Sequence, residues 1–186
     1  YNVDGHENRS AYNRINQNGP DEMGWRANAT NLNLNRDYMK ADAPETRAWL
    51  KFWNDWKPDL FIDCHVSNGA DFQYNITYDH SPFQNANPSI KAWMNEHFDR
   101  NVVVKIEKEG NITTNYFDLV GREIIEGIAI SPSTPRFSTG YTPIRNRAGL
   151  LVETHVYKSY RSRVRGTYDL LRFTIEEVGN AKDSLF

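Results

Sequence analysis

Two short apolar runs end in side chains that can handle protons. "LFIDCH" ends in His65, and "LLVE" ends in Glu153. Asp63 precedes His65 by two residues, and the two-residue period of an extended chain puts both on one face. A neutral imidazole is a good zinc ligand, and a carboxylate beside it can fix its orientation. A glutamate at the end of an apolar run either faces a cleft or pairs with an arginine such as Arg145, Arg147, Arg161 or Arg163. In a cleft, burial raises its pKa, which suits proton transfer near neutral pH.

A second group lies upstream. "GWRANAT" holds Arg26, and "NLNLNRDYMK" sets Asn35 beside Arg36. The planar fork of arginine grips carboxylates at two points, and it can equally stabilise an oxyanion. Two arginines and an amide suit an anionic substrate together with the charge that develops on it. Taken singly, each residue has a plainer reading: a strand-end histidine bonded to a neighbour, a salt-bridged glutamate, a surface cation.

Elements must carry these groups. The first 36 residues, rich in Asn with Gly5, Gly19, Pro20 and Gly24, read as loop with short extended pieces. "APETRAWLKFWNDW" predicts a helix. Pro44 suits its first turn, Glu45 follows, and Trp49, Leu50, Trp53 and Trp56 fall close to one face. "PDLFIDCHV" predicts a strand, and its near-continuous apolar run predicts cover on both faces. "DFQYNITY" reads as extended. "NPSIKAWMNEHFDR" predicts a second helix with Ile90, Trp93, Met94 and Phe98 on one side, and "NVVVKIE" a strand after it. Residues 110–148, with Pro132, Pro135, Gly140 and Pro143, predict mixed structure and a long irregular loop. "AGLLVE" is another buried strand. "SYRSRVRGTYDLLRFTIEEV" is the closing helix, with Val164, Tyr168, Leu171 and Ile175 along one stripe. Helices alternating with short apolar strands predict an α/β class: a mixed, largely parallel sheet between helices. In such sheets the chemistry gathers beyond the carboxyl ends of the strands.

Composition narrows the field. The 186 residues are 39% hydrophobic and 25% charged, which suits a single domain over residues 1–186. Net charge is −2 and the cations are scattered, so nucleic acid is not an expected partner. No run approaches the ~18 apolar residues of a membrane span. Cys64 is the only cysteine, so no disulfide can form within the chain. Four Asn-x-Ser/Thr sequons, starting at Asn8, Asn28, Asn75 and Asn111, are of the number that an Asn-rich chain yields by chance.

In order, "YNVDG", "WRANAT", "NLNRDY", "LFIDCH" and "LLVE" resemble the motifs of the zinc carboxypeptidases, the funnel-shaped metallocarboxypeptidases, over residues 1 to about 155. The resemblance implies a carboxypeptidase-like fold and roles for these residues. Arg26 would stabilise the oxyanion, and Asn35 and Arg36 would clamp the free C-terminal carboxylate of a peptide. His65 would be a zinc ligand. Glu153 would take a proton from the attacking water and return it to the leaving amine. Tyr141, in "RFSTGYTPIRNRAG", is the candidate for the mobile loop tyrosine of the family. The resemblance also favours a periplasmic or secreted location.

The departures matter as much. The family's other two zinc ligands come from an upstream His-x-x-Glu. None of His6, His65, His80, His97 and His155 is followed by Glu at the third position. The chain therefore reads as the C-terminal portion of a catalytic domain, with zinc bound only in the intact protein. Asn33 stands where the family has Asp, Val3 where it has Pro, and Asp37 and Tyr38 where it has Asn and Phe. Two alternatives stay open. One is a deacylase or amidase of this fold, acting on acylated amino acids or cell-wall peptides. The other is a non-catalytic peptide- or sugar-binding module.

Overall fold

The computed structural model describes residues 1–80 and 87–185. The first forty residues hold α1 (Val3–Glu7) and a single 3-10 turn at Leu34–Arg36, joined by turns. Next comes α2 (Pro44–Trp56). Its first-turn proline has no N–H to leave unpaired, and it ends where Lys57 turns left-handed (φ 49°) and donates its N–H to the Trp53 carbonyl. β1 (Leu60–Val66) and β2 (Ile76–Asp79) follow.

A continuous helical rod comes next. It is made of α3 (Pro88–Trp93), a wider π-wound stretch (Met94–Val103) and α4 (Val104–Lys108). β3 (Thr113–Asn115) leads into a small hairpin of β4 (Asp118–Leu119) and β5 (Ile128–Ala129). Then come α5 (Ser138–Ile144), β6 (Ala148–Thr154), α6 (Tyr160–Ala181) and a last 3-10 turn at Lys182–Ser184.

The main sheet has the order β1-β6-β2-β3. The β1–β6 and β2–β3 pairs are parallel, and β6–β2 is antiparallel. This is the mixed, mostly parallel sheet expected of the α/β class. On one face Leu150 and Val152 of β6 and Ile76 of β2 meet Phe98, Val102 and Ile106 of the rod and Leu170 of α6, all of them fully buried. On the other face Phe61 of β1 meets Trp53 of α2, which in turn meets Tyr141 of α5 edge-on. Burying one such aromatic side chain stabilises the fold by about 2–3 kcal/mol before entropy is counted.

Four expectations need correction. "NVVVKIE" is helical: Phe98, Val102 and Ile106 recur at helical spacing and are all buried, and a run of valines masks that period. Residues 110–148 are mixed, as expected, but β3, β4, β5 and α5 take up much of the length expected to be irregular, and Gly140 and Pro143 lie inside α5. Gly140 sits inside α5 because a Cβ there would collide with the backbone of Ser133 and Thr134. β1 is not covered on both faces. It is an edge strand, half-buried throughout with Cys64 exposed, while its inner neighbour β6 is mostly buried.

On α6, Val164, Tyr168 and Ile175 point outward, at 48%, 62% and 69% exposure. The buried face is Arg163, Gly166, Leu170, Phe173, Thr174 and Glu177. That face looks polar in sequence because Glu177 is tied down by His97, Asn101 and Lys105. Gly166 lies on it because Ile76 packs against that point. No helix among the described residues is long and apolar enough to cross a membrane.

Candidate active site

His65, Glu153 and Thr77 lie side by side on three neighbouring strands. His65 is in register with Glu153 across β1–β6, and Glu153 with Thr77 across β6–β2. The period of two then places Asp63 and His65 on one face of β1 and Leu151 and Glu153 on the same face of β6. All four open into one cleft of about 350 Å³. The parallel pairing of β1 and β6 is what brings residues 88 positions apart to one level.

The asparagine-dense loop closes the same cleft. Asn33 Oδ1 accepts the Asn35 N–H at 3.1 Å, capping the 3-10 turn that carries Asn35 and Arg36. Asp37 locks the far side of the turn, accepting the Asp42 and Ala43 N–H groups at 3.0 and 2.9 Å. Burial pushes the Asp37 carboxyl up, but those two donors, with Thr46 and Lys40 adding to them, hold the group below its ordinary value. Asn33 and Asp37, two of the departures noted above, are thus both used to shape the loop. Arg26, Asn35 and Arg36 all line the cleft. Arg36 donates to the Asn35 carbonyl at 2.8 Å and stacks over Phe137 at 4.4 Å.

Burial sets the electrostatics. It pushes the Glu153 carboxyl up to about 7; His65 and Arg26 pull it down, and Asp63 and Asp118 push it further up. At that value the group can accept and return a proton near neutral pH. Burial alone would lower the His65 imidazole, but Asp63, and then Glu153, more than offset it and hold it above its ordinary value. Asp63 Oδ2 lies 2.9 Å from His65 Nε2, a contact too poorly aligned to be a hydrogen bond, and it accepts a short one from Ser138 Oγ at the start of α5. Burial also lowers the Arg36 pKa, and Arg26 and Arg136 nearby lower it further.

Two atoms in the cleft are orphaned: His65 Nε2 and Glu153 Oε2 are buried with no hydrogen bond among the described residues. Such a pair can be satisfied by a water or a cation. A zinc site, however, takes three or four protein ligands. Among the described residues no group of three His, Cys, Asp or Glu side chains is placed to hold a metal.

Tyr141 is not at the cleft. It is buried on α5 against Tyr38 and Trp53, and its hydroxyl accepts from Arg145 at 3.2 Å. A short helix holds it inward, where an irregular loop would have left it free to move. His155 is also turned away, fully buried against Phe72, with its ring nitrogens facing the N–H groups of Phe72 and Tyr157. The tyrosine that does line the cleft is Tyr116. It donates to Asp118 at 2.9 Å, and its pKa is raised by burial and then by Glu153. Its place in "TTNYFD", just after β3, carried no motif that marks it. Ser138 was missed too, because only the fold brings α5 onto β1.

No protein-family model matches the chain, and no curated protein sequence matches it. Solved structures do. A metallo-carboxypeptidase from Pseudomonas aeruginosa, in complex with (2-guanidinoethylmercapto)succinic acid, is similar with a TM-score of 0.61 at 13% identity. The match covers 88% of this chain and 43% of that one. A metallo-carboxypeptidase from Burkholderia cenocepacia is similar with a TM-score of 0.56 at 16% identity, over 84% of this chain and 42% of that one. At such identities the likeness establishes a carboxypeptidase-like fold. The chain spans less than half the length of the solved structures it matches.

Proposed function

We propose that this chain supplies the substrate-holding and proton-transferring part of a metal-dependent carboxypeptidase, a hydrolase that releases C-terminal residues from peptides. The observation that carries the reading is that His65 and Glu153 stand abreast in the same cleft as Arg26, Asn35 and Arg36. The carboxylate at the end of the substrate is held by the Arg36 fork and the Asn35 amide. Arg26, which makes no side-chain hydrogen bond among the described residues, is free to donate to the oxyanion that forms when water attacks the scissile carbonyl. Glu153 accepts the proton of that water and passes it to the departing amine.

Among the described residues His65 is the imidazole that lines the cleft, and a metal there, zinc by resemblance, would take further donors beside it. Among the described residues β1 is an edge strand of the main sheet, so a further strand paired to it would set side chains next to His65.

The test is release of C-terminal residues by the intact protein. Release should collapse with a chelator and, separately, with Glu153→Gln. Full activity after both treatments would refute the reading.

A further inference from the structure

The cleft carries more positive charge than one carboxylate and one oxyanion need. Arg26 and Arg36 line it. Arg136, next to the lining residue Phe137, lies close enough to lower the Arg36 pKa. The Phe137 ring lies under both outer guanidinium groups, with Arg36 at 4.4 Å and Arg136 at 5.4 Å from its centroid. None of the three arginines has an ion-pair partner among the described residues; the arginines that do are Arg147 and Arg172. The acidic residues of the cleft are occupied otherwise. Asp63 accepts from Ser138 and faces His65, and Asp118 accepts from Tyr116. Glu153 stands beside His65 across β1–β6.

Like charges gathered without partners repel one another, and an anion of matching charge relieves that repulsion. With Arg36 on the terminal carboxylate and Arg26 on the oxyanion, Arg136 is left over beside the place where the substrate's last residue must lie. We propose that the cleft takes peptides whose C-terminal residue is itself acidic, aspartate or glutamate, and that Arg136 holds the side-chain carboxylate of that residue. The Phe137 ring keeps the two guanidinium groups at separate stations, so a single residue with two carboxylates bridges them. Arg136 is exposed, so it acts at the rim of the cleft, with its charge screened by water.

The inference rests on the carboxypeptidase reading, and the experiment separates the two. Binding is measured by calorimetry on the intact protein carrying Glu153→Gln, so that turnover is slow on the scale of the titration. The ligands are N-acetyl-Ala-Glu, N-acetyl-Ala-Gln, N-acetyl-Glu-Ala and the C-terminal amide of the first. N-acetyl-Ala-Glu should bind about two- to fivefold tighter than N-acetyl-Ala-Gln, the scale of one exposed charge pair. Adding Arg136→Gln should erase that advantage, while Arg136→Lys should keep part of it.

Equal affinity for the Glu and Gln peptides overturns the inference, and so does an advantage that survives Arg136→Gln. A preference for N-acetyl-Glu-Ala overturns the assignment of the second carboxylate to the last residue. If the amide binds as well as the free acid, the carboxypeptidase reading fails first. Absence of saturable binding by any free acid overturns both.

Discussion

His65 on β1 and Glu153 on β6 are paired in register across two parallel strands, one an edge strand and the other buried. The pairing puts an imidazole that can take up a cation beside a carboxyl held near neutrality. Parallel neighbours share a direction, so both side chains leave the sheet at its carboxyl ends, where open α/β sheets gather their chemistry.

The Glu153 carboxyl should serve as a base without being needed for the fold. Glu153→Gln keeps the shape and removes the proton acceptor. We expect kcat to fall by about 10²–10⁴, the usual worth of a general base, with KM little changed. Steady-state kinetics on a peptide substrate would show this split, and a large rise in KM with kcat preserved would speak for a binding role instead.

A buried carboxyl raised to about 7 also costs stability, and the sign can be worked out. Between its ordinary value of 4.5 and about 7 the folded state holds a proton that the unfolded state has lost. Stability then falls as pH rises through that window and levels off above it. The shift bounds the loss at about 3 kcal/mol. In the metal-free chain, Glu153→Gln should therefore raise Tm above pH 7 and leave it nearly unchanged below pH 4.5. Thermal unfolding at the two ends of the range would test this, and an equal effect at both ends would contradict it.

Tyr141 and Tyr116 should behave in opposite ways. Tyr141→Phe loses one hydrogen bond to Arg145, worth about 1 kcal/mol of stability, and should leave kcat/KM unaltered. Tyr116→Phe removes a hydroxyl at the cleft and should change KM or kcat while shifting Tm little. Parallel kinetics and melting on the two variants would decide the assignment.

The same contrast applies on α6. Replacing the outward Val164 or Ile175 by serine should stay within about 0.5 kcal/mol, as exposed substitutions do. Leu170→Ala, which removes a fully buried side chain, should cost about 2–5 kcal/mol. Urea unfolding would measure both.

These contrasts mark what the sequence could convey. β1, β6, α2 and α6 were legible because each is a run with one period and clear ends, such as Pro44 opening α2 and Glu153 closing the apolar part of β6. That His65 and Glu153 lie on strands, each one residue short of the end, was legible for the same reason. The face of α6 was not, because its buried side is held by polar contacts such as Glu177 with His97, and of its apolar stripe only Leu171 packs against the core while Val164, Tyr168 and Ile175 are left outside. Tyr116 and Ser138 were hidden because their nearness to the cleft depends on which strand pairs with which, and β6 lies between β1 and β2 despite coming last. Tyr141 was misplaced because a short helix ending near Pro143 looks, in sequence, like a loop.

The central claim is that the cleft holds a free terminal carboxylate at Arg36 while Glu153 serves the bond next to it. The most direct measurement compares kcat/KM of the intact protein for one peptide as its free acid and as its C-terminal amide, in wild type and in Arg36→Gln. We expect wild type to favour the free acid by about 10²-fold or more, on the scale of a lost charge-assisted pair, and Arg36→Gln to compress that ratio toward one. Equal rates on the acid and the amide in the wild-type protein, or a ratio that Arg36→Gln leaves intact, would contradict the account.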